Sequence, residues 1–384
     1  MTVTAASRLF EPITVGAIPL KHRVVLAPLT RLRANKETGV PSDLAIEYYR
    51  QRASDGGLLI SEGTMIAQEA GGMPGAPGVH SKEQISKWKE ITDAVHSKGG
   101  KIVCQLWALG RVADPSLVST VWGASTLPFV QDGQSPSEAP KVTQLTPKDI
   151  ERFTGHYVQA AKNAIEAGFD GVEVHGANGY LLDQFLQSKS NNRTDEYGGS
   201  LENRFRFPLA VINAVSKAIG VERVGLRMSP LGTFQGMRED DPIGVFLPWA
   251  QTVLAAQPKI AYIHAVGPRP EGLKDADEYD TLMLVSGNLD VIRDAVVKAG
   301  SRFLIAGGFT TKSAKAHTEQ TDDLIVFGRP FIANPDLPER IKNDWPLTPY
   351  DRSTFYTPDA HGYTDYPTYK EEGSQDALAP KAVL

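Results

Sequence analysis

Gly171-Val-Glu-Val-His175-Gly-Ala-Asn178-Gly-Tyr180 is a short apolar run that passes directly into a loop carrying three hydrogen-bonding side chains. A run of this kind reads as a buried strand, and the carboxyl end of such a strand is where parallel α/β proteins keep their chemistry. Ahead of it, Thr146-Pro-Lys-Asp149 reads as an N-cap, a proline at the first helical position and an acidic first turn, opening a helix that Gly168 closes.

The same unit recurs along the chain. Runs rich in β-branched and apolar residues occur at Val24 to Thr30, Leu58 to Thr64 and Lys101 to Trp107, and again at Val224 to Ser229, Ile260 to Val266, Arg302 to Gly308 and Leu324 to Arg329. Between them, Glu83 to Ser97, Lys148 to Ala167, Leu201 to Ile219, Gly244 to Ala256 and Leu289 to Ala299 show helical spacing. Eight alternating units in one chain predict an α/β protein with a closed (β/α)8 TIM barrel, rather than an open doubly wound sheet. The 384 residues exceed the roughly 250 of a minimal barrel, and the surplus has places to go within one domain over residues 1–384. A hairpin in residues 1–23, from Leu9 to Arg23 and turning near Gly16-Ala-Ile-Pro19, is expected to cap the floor. Insertions at 108–145 and 267–287, rich in Pro, Gly, Ser and Asp, fall on the catalytic rim as long loops, and a tail runs over 345–384.

Composition excludes several classes of partner. A net charge of −5 leaves no excess of Lys and Arg to neutralise a phosphate backbone or an anionic membrane surface. No segment approaches the roughly 18 apolar residues of a membrane span, and the N-terminus does not read as a leader. Cys104 stands alone, which rules out internal disulfides and thiolate zinc clusters and suits a reducing, cytoplasmic setting. The chain is expected to act as a monomer or homodimer, without a metal.

Strand periodicity then sorts the side chains. Thr30 shares a face with Pro28 and Leu26, Gln105 with Val103 and Trp107, His175 with Glu173, and Arg227 with Gly225 and Ser229, so these sets are expected to point into the barrel mouth. Cys104, of opposite parity, is expected to face the helices. Arg227 is a permanent cation in an apolar strand and needs compensation. Either it forms a structural ion pair with Glu173 one strand away, or it faces a ring that gains negative charge on reduction, with Gln105 and Thr30 bonding the ring's polar edges. Gly307-Gly308 and Gly328-Arg329, at the ends of the seventh and eighth strands, match the usual phosphate site of barrels, followed by a short helix at Pro330 to Asn334 or Leu337 to Asn343. Neither GxGxxG after a strand nor GxxxxGK[ST] occurs, so a nicotinamide donor has no domain of its own. A redox ring with a single phosphate, FMN, is the natural candidate. His175 and Asn178 can both donate to one oxygen, and Tyr180 carries a phenol protonated at neutral pH, a set that suits a substrate carbonyl.

On these motifs the chain resembles the Old Yellow Enzyme family of FMN-dependent ene-reductases. The resemblance runs from Leu9-Phe-Glu-Pro to Gly362-Tyr-Thr-Asp-Tyr-Pro-Thr-Tyr369 and is strongest from His175 through Tyr180 to Leu186 and from Ser190 to Arg204. Ala27-Pro-Leu-Thr-Arg-Leu-Arg33 and Cys104-Gln-Leu-Trp107 add to it. It implies that Pro28, Leu29, Thr30, Gly63, Gln105 and Arg227 hold the flavin ring and ribityl chain, and that Gly307, Gly308, Gly328 and Arg329 hold the phosphate. It implies further that NADPH is the reductant and an α,β-unsaturated carbonyl compound the substrate, its oxygen bound by His175 and Asn178 and its α-carbon protonated by Tyr180. Trp107 and Tyr356 match aromatic positions lining the cavity. Thr30 matches one branch of the family, another having Cys here, and Gly308 departs from yeast relatives, which carry Asn. The other readings of such a barrel are an aldolase, an isomerase or a non-catalytic flavin sensor. The first needs a lysine at a strand end, which no strand supplies, and a metal isomerase needs more inward ligands than His175 with Glu173 or Glu62.

Overall fold

The computed structural model describes residues 7–130, 133–135, 137–267 and 287–372. In chain order the strands are β1 (Ile13–Val15), β2 (Ile18–Leu20), β3 (Val24–Leu26), β4 (Leu58–Ile60), β5 (Thr64–Met65), β6 (Lys101–Trp107), β7 (Val121–Gly123), β8 (Val142–Gln144), β9 (Gly171–His175), β10 (Val224–Met228), β11 (Tyr262–Val266), β12 (Arg302–Ala306) and β13 (Leu324–Phe327). Parallel pairing runs β3-β4-β6-β9-β10-β11-β12-β13 and returns from β13 to β3, closing an eight-stranded barrel. The longer helices, α1 (Asp43–Arg52), α2 (Lys82–His96), α3 (Pro147–Glu166), α5 (Leu201–Ile219), α6 (Pro242–Ala256), α7 (Gly287–Lys298) and α8 (Thr311–Gln320), accompany the strands, while the short α4 (Leu181–Leu186) follows β9. Two further short helices, α9 (Arg329–Ala333) and α10 (Leu337–Lys342), follow β13.

Period-two alternation divides the strand residues between two cores. Val25, Leu58, Ile60, Val103, Tyr262, Leu304, Leu324 and Val326 fill the barrel together with Ile13, Val15, Ile18 and Leu20 of the hairpin. Leu26, Leu59, Cys104, Val172, Val174, Leu226 and Ile263 face outward onto helix residues such as Trp88, Phe153, Val211 and Trp249. The hairpin therefore plugs the floor, as its position before the first barrel strand predicts. Its turn depends on Gly16 at φ +55, where an added Cβ would stand 2.0 Å from the Glu222 carbonyl oxygen. The neighbouring Ala17 N–H donates to that same carbonyl at 3.0 Å, anchoring the turn just ahead of β10.

The helix signals translate into local bonds. The Thr146 hydroxyl accepts the Asp149 N–H at 3.2 Å while the Asp149 carboxylate accepts the Thr146 N–H at 2.9 Å, a reciprocal cap on α3.

Several expectations need correction. Strands at the mouth end earlier than their apolar runs, at Leu26, Ile60, Ala306 and Phe327, and beyond β3 and β4 side chains take over bonds to the backbone. The Ser61 hydroxyl accepts the Gln105 N–H at 2.9 Å, and the Glu62 carboxylate accepts the Arg31 N–H at 3.1 Å. Since β3 stops at Leu26, alternation does not carry through to Thr30. Leu26 belongs to the outer core and Val25 and Ala27 to the inner one, the reverse of the expected face. Arg329 opens α9 rather than ending a strand, and both candidate short helices after β13 form. Helices α1 and α8 lie outside the segments expected to be helical, although α1 buries Ala45, Tyr48 and Tyr49 at helical intervals. The insertion at 108–145 contains the paired strands β7 and β8. Residues 268–286 of the second insertion and 373–384 of the tail lie outside the described residues.

Candidate active site

The loop after β9 is built by its own following helix. Asn178 sits at φ +58, a left-handed conformation that asparagine tolerates better than most residues. Its N–H donates to the Ser229 hydroxyl at 2.7 Å, at the end of β10. In α4, Asp183 accepts the Gly179 N–H at 2.8 Å, and the Gln184 amide donates to the carbonyls of Leu109 and Gly179 at 3.0 and 2.8 Å. Leu-Leu-Asp-Gln thus braces the three residues ahead of it.

His175 ends β9 beside Arg227 of β10 in register. Its Nδ1 accepts the Ala177 N–H at 3.3 Å, so the proton of a neutral ring resides on Nε2. Burial, helped by the nearby charges of Arg227 and His264, holds its pKa well below 6.5. The ring is therefore neutral at physiological pH and offers Nε2–H as a donor.

Tyr180 stands edge-on to Trp107 at 4.8 Å between centroids and to His175 at 5.0 Å, while Trp107 and His175 are nearly parallel at 6.3 Å. Gly63 makes room for this group, since a Cβ there would be 2.5 Å from the Trp107 ring. Burial pushes the Tyr180 phenol up to about 12, with Tyr356 adding to the shift and Gln235 and Arg227 opposing it. Tyr180 therefore keeps its proton across the physiological range. Tyr356 lies at the outer edge, 63% exposed.

Deeper in the mouth, the polar strand residues Gln105, Glu173, His264 and Arg227 are buried. Glu173 does not pair directly with Arg227. One carboxylate oxygen accepts from the Gln105 amide at 2.7 Å and the other from His264 Nδ1 at 2.9 Å. Burial pulls the Arg227 guanidinium below its ordinary value against the opposing charge of Glu173. Its Nε is buried without a hydrogen-bond partner. A donor left unsatisfied at this depth fits a ring that becomes anionic on reduction.

The phosphate candidates gather at the ends of neighbouring strands of the same mouth. The position of a Cβ on Gly307 would be 3.5 Å from the Gly267 Cα, and one on Gly328 would be 3.4 Å from Leu29, so bare backbone lines this side. Gly308 is exposed at φ +81, and Arg329 donates to the Tyr350 hydroxyl at 3.2 Å. Pro28 is buried, and Leu29 and Thr30 are half-buried in the segment leaving β3. The donor set and the open backbone fit FMN.

A profile of the NADH:flavin oxidoreductase / NADH oxidase family matches residues 8–348. The chain belongs to this family, the Old Yellow Enzyme family. It is 47% identical over 379 residues to a flavin oxidoreductase of Emericella nidulans, covering 94% of this chain and 97% of that one. It is 45% identical over 366 residues to a chanoclavine-I aldehyde reductase of Penicillium roqueforti, covering 94% and 96%. To 12-oxophytodienoate reductase 1 of Oryza sativa it is 41% identical over 391 residues, covering 97% and 96%. This Old Yellow Enzyme is thus an FMN-dependent oxidoreductase, which sets aside the aldolase, isomerase and non-catalytic readings. Among the described residues, no helix is long and apolar enough to cross a membrane.

Ser229 under Asn178, and His264 with Glu173 under Gln105, escaped sequence reasoning as working residues. Strand parity placed Ser229 on the face of Arg227, and the weighing of Glu173 as a counter-ion of Arg227 pointed to the buried carboxylate, while no signal marked His264.

Proposed function

We propose that this chain is an ene-reductase that uses NADPH to reduce the carbon–carbon double bond of an α,β-unsaturated carbonyl compound, with Tyr180 as the proton donor to the α-carbon. When bound, FMN supplies hydride from its N5 position to the β-carbon. His175 Nε2–H and the Asn178 amide hold the carbonyl oxygen and stabilise the charge that develops there, and a well-placed donor of this kind contributes about 3 kcal/mol. Tyr180 delivers its proton to the α-carbon, help worth about 10²- to 10⁴-fold. Trp107 and Tyr356 line the substrate cavity.

Pro28, Leu29, Thr30, Gly63, Gln105 and Arg227 hold the ring and ribityl chain, and Gly307, Gly308, Gly328 and Arg329 hold the phosphate, the whole chain forming one FMN-binding domain. A cytoplasmic setting, with monomer or homodimer as the working form, suits the single buried thiol of Cys104.

The observation that carries this reading is the tautomer of His175, fixed by the Ala177 N–H beside a phenol that stays protonated. The test is a visible spectrum of the natively purified protein, followed by NADPH consumption with cyclohexenone. Flavin bands and enone-dependent turnover are expected. Colourless protein that cannot be reconstituted with FMN, or a yellow protein inert to every enone tried, would overturn it.

A further inference from the structure

Glu173 is fully buried inside the barrel, and so is His264. No step of the proposed reaction uses either of them. A carboxylate can only accept hydrogen bonds, so whatever faces it must donate. At 2.7 Å from Glu173 Oε1, the Gln105 side chain is therefore obliged to turn its NH2 group toward Glu173. Its carbonyl oxygen is left pointing elsewhere as an acceptor. The other carboxylate oxygen is engaged by His264 Nδ1 at 2.9 Å, which prevents Glu173 from swinging away. The strand register places Glu173 level with Gln105 on one side and with Gly225 on the other, two residues below Arg227. Gly225 leaves that level to the Tyr262 ring, since a Cβ there would stand 2.1 Å from it.

We propose that Glu173 is a positioning residue for the flavin: it locks the Gln105 amide so that only its carbonyl is offered to the ring, and it sets a fixed negative charge beneath Arg227. This rests on the FMN reading above. An oxidised isoalloxazine carries one ring N–H donor, and a carbonyl acceptor suits it where an NH2 group does not. The buried negative charge also offsets part of the attraction of Arg227 for the anionic reduced ring, so it holds the flavin potential down.

The experiment is FMN titration of the apoprotein, by quenching of flavin fluorescence, together with the potential of the bound flavin, for wild type and for Glu173→Gln, Glu173→Asp, Gln105→Ala and the Glu173→Gln/Gln105→Ala double variant. Wild-type protein that fails to take up FMN would sink the functional reading itself. Given binding, Glu173→Gln is expected to weaken oxidised FMN about tenfold, the scale of one charge-assisted hydrogen bond. The affinity ratio of reduced to oxidised flavin is expected to rise about tenfold, a potential about 30 mV higher for a two-electron couple. Glu173→Asp keeps the charge but cannot span both partners, so it is expected to lose affinity without raising the potential. In the Gln105→Ala background the effect of Glu173→Gln on affinity is expected to shrink below about twofold, the non-additivity of residues acting through one another. An unchanged potential in Glu173→Gln, or full additivity with Gln105→Ala, would overturn the proposal while leaving the FMN reading intact. Should Glu173→Gln not fold, wild-type affinity in Glu173→Asp would overturn it equally.

Discussion

Tyr180 is a phenol pushed up to about 12 by burial, among rings that give it no competing carboxylate. Tyr180→Phe keeps the edge-on packing and removes the hydroxyl that carries the proton. It is expected to slow reoxidation of reduced flavin by an enone about 10²- to 10⁴-fold while flavin reduction by NADPH stays near wild type. Stopped-flow traces of the two half-reactions distinguish these, and the reverse pattern would refute the assignment. His175→Ala removes one of two donors to the oxyanion, so binding of a phenolate ligand is expected to weaken about 100-fold, on the scale of one lost oxyanion donor. Spectral titration with a phenol reads this directly, and an unchanged affinity would count against the pair. The grouping of His175, Asn178 and Tyr180 was legible in the sequence because they lie within six positions at one strand end. Ser229, which fixes the left-handed Asn178, is 51 residues away, and no local pattern announces such a bond.

At the scale of elements, the C-terminal segment is tied to the barrel by arginines of the motif that follows β3. The Arg31 guanidinium donates to the carbonyls of Phe355 and Gly362, at 3.1 and 2.8 Å. Arg33 donates to the carbonyls of Thr354, Phe355, Asp359 and His361 and to the Thr357 hydroxyl. Tyr363 stacks on Tyr48 at 4.2 Å, with Arg33 over its face at 4.3 Å. Arginine suits this work because its fork of donors can satisfy several carbonyls at once. The resemblance drew attention to Ala27-Pro-Leu-Thr-Arg-Leu-Arg33, yet its arginines hold the wall that carries Tyr356 rather than the flavin candidates. Arg33→Ala is expected to cost about 2 kcal/mol or more and to open the chain around residues 354–363 to protease, since buried carbonyls lose their partners. Urea unfolding and limited proteolysis measure both, and unchanged cleavage would show that the wall stands without this clamp. The strands, the strongest elements in the sequence, were overread at the mouth. There Ser61 and Glu62 replace ladder bonds with side-chain bonds, which hydrophobic periodicity cannot reveal.

At the scale of the whole molecule, buried ionisable groups set the response to pH. Burial lowers His22 to about 4 from 6.5, and it also lowers His80, His175 and His264. Below pH 6.5 the unfolded chain therefore takes up protons that the folded chain refuses, and stability falls as pH drops through this window toward about 4. Glu62 and Asp183, raised by burial to about 7, act in the opposite sense, because the folded state keeps protons that the unfolded state has released. The exposed His361, raised by Asp365, joins the carboxyls in favouring the acid side, while the four lowered histidines oppose them, and the melting temperature is expected to be lower at about pH 5 than at about pH 7. A higher value at the acid end would contradict this balance. The sequence by itself determined the eight barrel strands, their alternation with helices, the polar loop after β9 and the family, because these depend on periodicity and on residues close together in the chain. Tertiary structure alone decided the bond from Asn178 to Ser229, the orientation of Gln105 and the clamping of the tail. Gln105 meets Glu173 across 68 residues and Arg33 meets Phe355 across 322, and hydrogen bonds between such distant partners exist only once the barrel has closed.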